Sequence, residues 1–334
     1  MKYYLVSKLS QLVFVLFGVS VVVFVAMRLV PGDVAQLLAG ENATVEDLER
    51  LRQQLGLNDS ILVQYFRFAA NAVVGDFAPS IRSGQPALQN VLHAFPVTLQ
   101  LAMAALLVTI CVGIPLGALA ASRPGSTFDN FVLMATLFGG SVPVFWLGLM
   151  LLLAFGSYLG WLPLGGILPV GAAVPRVTGM TIVDSFIAGR PDLAWTSFTY
   201  LILPAITLGS IPVALVARVT RAEMLATSLL DHVRTARAKG LGEFRVVTRH
   251  ILRNALIPVV TVLGLQAGVL LSGAVLTETI YSIPGLGRLM VDSILSRDYP
   301  VVEAGGVFIA FIFVIVNLLT DFCYGLLDPR IQRL

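Results

Sequence analysis

Phe198-Thr-Tyr-Leu-Ile-Leu-Pro-Ala-Ile-Thr-Leu-Gly-Ser-Ile-Pro-Val-Ala-Leu-Val-Ala217 runs for 20 residues without a charged side chain, and Arg218 follows it directly. About 20 apolar residues carry a helix across the hydrocarbon core of a bilayer. Hydrocarbon offers no partner to a bare N–H or C=O, so a run of this length reads as a helix that satisfies its backbone internally. Pro204 and Pro212 mark places where that helix could bend.

Working outward, the same test finds six spans, at residues 9–29, 96–121, 131–159, 198–218, 255–279 and 304–324. The first follows Lys2 and Lys8 but has no Ala-x-Ala cleavage site and is too long for the apolar region of a signal peptide, so it is read as retained. No charge occurs between Asn130 and Pro175, yet Pro163, Gly165, Gly166 and Pro169 break the second half, which leaves one span and a loop. The composition agrees, with 57% hydrophobic and 12% charged residues and a mean hydropathy of +0.88. Soluble domains average about 25% charged, which excludes an ordinary soluble globule. The expected fold is a single all-α transmembrane domain over residues 1–334. Cys111 and Cys323 lie far apart in uncharged runs, so they are read as packing residues rather than a disulfide or metal pair.

Lys and Arg excess marks the inner side of a membrane. Placing both termini in the cytoplasm puts Lys2, Lys8, Arg123, Arg330, Arg333 and the basic segment Arg218–Arg253 inside. The outer segments then carry Asp33, Glu41, Glu46, Asp47, Glu49, Asp59 and Asp76. Outside lie residues 30–95, 160–197 and 280–303; inside lies 219–254. The 30–95 segment carries helix signals of its own. Thr44 precedes an acidic first turn of Glu46 and Asp47; Val45, Leu48, Leu51 and Leu55 share a face, and Gly56 stops the helix. A small helical cap is expected there.

Several chemistries are missing. The lysines at 2, 8 and 239 stand in no Gly-Lys-Ser/Thr phosphate loop, so the chain is not itself an ATPase. His93, His232 and His250 have no acid or cysteine at ligand spacing and are read as interfacial polar residues. No nucleophile with a paired base is visible. The net charge of +3 is small, and membrane topology already explains the basic inner loop without nucleic acid.

The most informative stretch is that inner loop, His232-Val-Arg-Thr-Ala-Arg-Ala-Lys-Gly240-Leu-Gly-Glu-Phe-Arg-Val-Val-Thr-Arg-His250-Ile-Leu-Arg-Asn-Ala-Leu-Ile-Pro258. Ala236 and Ala238 are small enough to let another protein approach a short helix, and Gly240 suits its left-handed C-terminal cap. Arg237 and Lys239 could pair with acids on a partner, or face anionic lipid.

Arg234-Thr-Ala-Arg-Ala-Lys-Gly240 followed by Arg249-His-Ile-Leu-Arg-Asn-Ala-Leu-Ile-Pro258 resembles the cytoplasmic loop of permease subunits from peptide-class ABC importers. Pro31-Gly-Asp33, Gly75-Asp-Phe77, Glu278-Thr-Ile-Tyr-Ser-Ile-Pro-Gly-Leu-Gly287, Arg297-Asp-Tyr-Pro300 and Asp328-Pro-Arg330 extend the resemblance over essentially the whole chain. It implies the type I importer fold and a B-type subunit that forms one half of a heterodimeric pore with a C-type partner. It also implies that Thr235, Ala236, Arg237, Ala238, Lys239 and Gly240 form a coupling helix seated in one of two separate ATP-binding subunits. Those subunits would supply ATP and its magnesium, this chain holding no cofactor or metal, while a periplasmic or lipid-anchored binding protein delivers solute. The usual Glu-Ala-Ala start of such helices is replaced by Arg234-Thr235-Ala236, and Ala78 replaces the second glycine of the Gly75-Asp76-Phe77 run. Relatives of this architecture carry di- and oligopeptides, nickel chelates, glutathione or haem.

Polar groups at membrane depth normally face the bundle or water, which makes Gln100, Gln266, Glu278, Asn317 and Asp321 candidates for the translocation path. A secondary transporter or channel would instead favour inverted repeats and charges deep in the spans, and neither is visible.

Overall fold

A computed structural model describes residues 2–29 and 44–327. The resemblance triplets at 31–33 and 328–330, and the side chains of Asp321 and Cys323, fall outside the described residues. In chain order the helices are α1 (Lys2–Leu29), α2 (Val45–Leu55), α3 (Ile61–Val74) and α4 (Ala87–Val108), which continues through a π-helical turn (Thr109–Gly113) into α5 (Ile114–Ser122). There follow α6 (Thr127–Ser141), α7 (Val144–Leu151) with a π-helical extension (Leu152–Tyr158), α8 (Thr181–Ile187) and α9 (Pro191–Ser228). The remainder are α10 (Asp231–Ala238), α11 (Glu243–Arg245), which runs through a π-helical stretch (Val246–Leu252) into α12 (Arg253–Gly273), then α13 (Val275–Ile280), α14 (Leu286–Leu295) and α15 (Tyr299–Leu327). Among the described residues the only β pairing is a single bridge between Pro79 and Pro86.

Five of these helical runs are long and apolar enough to span: Leu12–Leu29, Ala87–Ser122, Pro191–Ser228, Glu243–Ser272 and Tyr299–Thr320. The third expected span differs. Instead of one helix over 131–159, α6 and α7 with its extension meet at a bend of 103°. Pro143 is the cause: a residue before proline is driven out of the α region, and Val142 is extended at φ −74°, ψ 128°. Pro204 and Pro212 behave oppositely, since α9 stays helical through both for 38 residues. Small side chains around it admit the close packing that membrane helices use in place of a hydrophobic drive.

The chain divides into two compact units, Met1–Phe95 with Leu289–Val314 and Pro96–Arg288 with Ile315–Leu334. In the first, Thr44 caps α2 by accepting from the Asp47 N–H at 3.2 Å while the Asp47 carboxylate accepts from the Thr44 N–H at 3.3 Å, a reciprocal capping box. Gly56 ends that helix at φ +64°, as its position in the sequence predicts. Phe24 of α1 is buried against Tyr65 and Phe68 of α3, with ring centroids 5.3 and 5.6 Å away. Asp298, just ahead of α15, accepts from the Ser80 hydroxyl and from the N–H groups of Ile81, at 3.0 Å, and Arg82, so one buried carboxylate fixes the 80–82 loop.

The second unit is organised around α9. Gly113 and Gly117, four residues apart, form its contact surface on the α4–α5 run: a Cβ on Gly117 would strike the Ala217 carbonyl and come within 2.7 Å of Thr220 Cβ. Buried Asp129 of α6 receives both Nε and Nη2 of Arg221 from α9, the latter at 2.7 Å, and the Gly125 N–H at 2.8 Å. Cys111 departs from the packing role expected of it. Its thiol is exposed on the π-helical turn after α4.

Candidate coupling site

Helix α10 is short, and the chain around it explains both ends. Leu230 is extended at ψ 150°, which starts the helix at Asp231, whose negative charge suits a helix N-terminus. At the other end the Gly240 N–H donates to the Arg237 carbonyl at 2.9 Å and the Leu241 N–H donates to the Ala236 carbonyl at 3.4 Å. These are the two bonds of a Schellman motif, and Gly240 supplies its left-handed residue at φ +74°. A Cβ on Gly240 would meet nothing within 4 Å, so glycine is required there by conformation, not by space.

Val233 and Ala236, three positions apart, form the inner face of α10 and are buried with Met224, Val246, Ile251 and Ala255. Thus Ala236, expected to admit a partner, faces the chain's own core, while Thr235, Arg237, Ala238, Lys239 and Gly240 are exposed. Arg237, expected to reach an acid on a partner, is engaged in a two-pronged pair with Glu243, Nη2 to Oε1 at 2.6 Å and Nε to Oε2 at 3.2 Å. Arg234 lies 3.6 Å from Asp231, whereas Lys239 has no ion-pair partner among the described residues. Behind the helix, the Asn254 amide donates to the His250 carbonyl at 2.8 Å and lies 3.1 Å from His232 Nε2. His232 and His250 are therefore joined through one bracing residue. No group of three or more His, Cys, Asp or Glu able to hold a metal ion occurs among the described residues.

Two of the five path candidates, Gln100 and Glu278, are buried and engaged within the chain. Gln100 is buried, and its side-chain oxygen accepts from the Ile182 N–H at 3.1 Å, tying α4 to α8. Glu278 is wholly buried: it accepts from the Thr98 hydroxyl at 2.5 Å and from the Arg288 N–H at 2.9 Å. Thr98 in turn accepts from the Leu286 N–H at 2.7 Å. With no accessible surface, Glu278 contacts no solute in this conformation; it holds the 285–288 turn. Gln266 and Asn317 are half-buried, and the Asp321 side chain is not among the described ones. Sequence reasoning missed Thr98 and Tyr281. The Tyr281 hydroxyl lies 2.9 Å from the Thr207 hydroxyl and donates to the Gly148 carbonyl at 3.0 Å. The glycines at 285 and 287 were the available signal, because side chains there would collide with Glu278 and with the Val275 backbone.

Apolar spans with a short, exposed, glycine-capped helix on the loop between two of them define a polytopic α-helical membrane protein. The family described as binding-protein-dependent transport system inner membrane component matches residues 113–333, and the N-terminal membrane component of the same systems matches residues 1–102. The chain belongs to this family of ABC importer permeases. It is 41% identical over 329 residues, covering 98% of this chain and 99% of the relative, to the dipeptide transport system permease protein DppB of Alkalihalophilus pseudofirmus. It is 41% identical over 331 residues, 99% of this chain and 98% of the relative, to the di/tripeptide transport system permease protein DppB of Pseudomonas aeruginosa. A probable D,D-dipeptide transport system permease protein of Escherichia coli is 43% identical over 323 residues, 96% of this chain and 95% of the relative. Among solved structures, the inward-facing MetNI methionine ABC transporter matches 72% of this chain and 97% of its own with a TM-score of 0.51 at 15% identity, which supports the fold.

Proposed function

We propose that this permease passes di- and oligopeptides, and that α10 with Lys239 and Gly240 is the element through which separate ATP-binding subunits drive it. The observation that carries the peptide reading is full-length likeness, near 40% identity, to permeases named for di- and tripeptides. What supports the coupling reading is the exposed, Schellman-capped helix on the loop between α9 and α12, too short to serve as a span and rigidly backed by the 224–255 cluster.

In this reading both termini and α10 lie in the cytoplasm, and the 44–95 region faces the opposite side. A second, C-type permease completes the pore and a binding protein delivers peptide to it. ATP favours the closed pair of ATP-binding subunits; each moves the helix seated in it, and the spans rock from inward-open to outward-open because the two states bind nucleotide differently. Arg237 contributes within this chain by bracing α10 against Glu243, which leaves Lys239 as the cation presented outward. Gln266 and Asn317 remain the path candidates with accessible surface.

The test is reconstitution of the assembled transporter in liposomes. Proline demands φ near −65°, so Gly240→Pro destroys the +74° cap and should abolish both association with the ATP-binding subunits and dipeptide uptake. Uptake by this chain alone, or full uptake by the variant, would overturn the reading. Placement is checked with Ala238→Cys in a Cys111→Ser, Cys323→Ser background: a membrane-impermeant thiol reagent should label inside-out vesicles and not intact cells.

A further inference from the structure

Helix α3 stands in a segment that the sequence assigns to an aqueous cap, yet its surface is that of a membrane helix. Leu62, Phe66 and Val73 are 70%, 69% and 87% exposed, and Val63, Ala70 and Val74 continue the same face at three- and four-residue spacing. Gln64, Arg67 and Asn71 form a narrower polar strip beside it, while Tyr65 and Phe68 point the third face at α1. No residue of α3 is fully buried. A contiguous apolar face of this size left to water is unusual unless something covers it.

The contacts with α1 set its level. Arg28, one residue from the end of α1, donates to Gln64 at 3.2 Å, pairs with Glu303 and lies 3.3 Å above the Phe24 ring, a polar cluster of the kind found where a span leaves hydrocarbon. Deeper, the Tyr65 hydroxyl lies 2.9 Å from the Ser20 hydroxyl and its ring 6.1 Å from that of Phe17. Ser20 is nine residues before Leu29, about 13 Å along the helix axis at 1.5 Å per residue, and it lies inside the apolar window Leu12–Leu29. Val13, Phe14, Phe17 and Val22 of that window are themselves exposed, so the outer face of α3 continues an apolar surface that only acyl chains or protein can cover.

We propose that α3 is an interfacial anchor: it lies in the leaflet at which α1 ends, with lipid acyl chains covering Leu62, Phe66 and Val73 while Gln64, Arg67 and Asn71 stay at the headgroups. Its 14 residues are too few to cross, and a polar strip beside a wide apolar face is the pattern of a helix lying in the interface.

The experiment uses the assembled transporter in phospholipid bilayers. In a Cys111→Ser, Cys323→Ser background, Leu62→Cys, Phe66→Cys and Val73→Cys are each spin-labelled, and nitroxide relaxation is measured with oxygen and with a water-soluble nickel chelate. Labels in lipid should collide with oxygen at least several-fold more than with the chelate, while a label introduced by Val45→Cys on α2, which is 82% exposed, should show the reverse. Chelate access at 62, 66 and 73 equal to that at 45 would place α3 in water and overturn the proposal. Immobilised labels with low access to both relaxants would show a protein partner on this face and overturn it equally.

Discussion

Glycine is demanded at 240 and at 287 for different reasons, and the difference is measurable. At 240 the backbone is left-handed and the space empty, so Gly240→Ala meets only the conformational cost of roughly 1–2 kcal/mol. At 287 a Cβ would sit 2.7 Å from the Val275 Cα, a backbone atom that cannot turn aside. Gly287→Ala should therefore lower the thermal midpoint of the purified transporter more than Gly240→Ala does, while Gly240→Ala should affect ATP-driven uptake more than its stability. Glu278→Gln keeps the shape but turns an acceptor into a donor opposite the Thr98 hydroxyl or the Arg288 N–H. An unsatisfied buried donor costs about 1–3 kcal/mol, and the melting curve should move accordingly with no change in peptide preference; altered preference would restore Glu278 as a path residue. Gly240 was legible because its cap is local, written within five residues. Glu278 was misread because its partner Thr98 is 180 residues away, and nothing near position 278 announces it.

At the scale of elements, α2 was legible for the same reason: Thr44, Asp47 and Gly56 specify both ends of one helix. The break between α6 and α7 was not, although Pro143 was in view, because hydropathy along an uncharged run is the same for a straight helix and for two helices at 103°. Helix α8 carries a prediction of its own. Burial pushes the Asp184 carboxyl up, but the N–H groups of Thr178, at 2.7 Å, and Gly179, at 2.9 Å, and the Thr178 hydroxyl outweigh it, so Asp184 titrates below the usual carboxylate range. A folded pKa below the unfolded value near 3.9 gives stability that is complete above about pH 5 and is lost as pH falls toward the folded value. Amide exchange over 178–184 should accelerate from pH 6 to pH 3, after correction for intrinsic rates, and Asp184→Asn should be fast already at pH 6. Equal protection in the two proteins at pH 6 would remove the carboxylate from this role.

For the molecule as a whole, spans could be counted from charge-free length alone, because hydrocarbon imposes one requirement on every backbone group. Function was legible through ordered motifs, from Gly75-Asp76-Phe77 to Arg297-Asp298-Tyr299-Pro300, rather than through any constellation that physics alone would single out. Those motifs turn out to hold loops in place: Asp298 grips the 80–82 loop and Glu278 the 285–288 turn. Tyr281 belongs to the same run and serves three segments at once, its hydroxyl meeting α7 and α9 and its carbonyl accepting from the Gly166 N–H at 2.7 Å. Two losses at such a junction overlap. Tyr281→Phe and Thr207→Val combined should cost clearly less than the sum of their separate penalties, and this sub-additivity would identify the phenol as a shared fastener on which several strips of chain depend together.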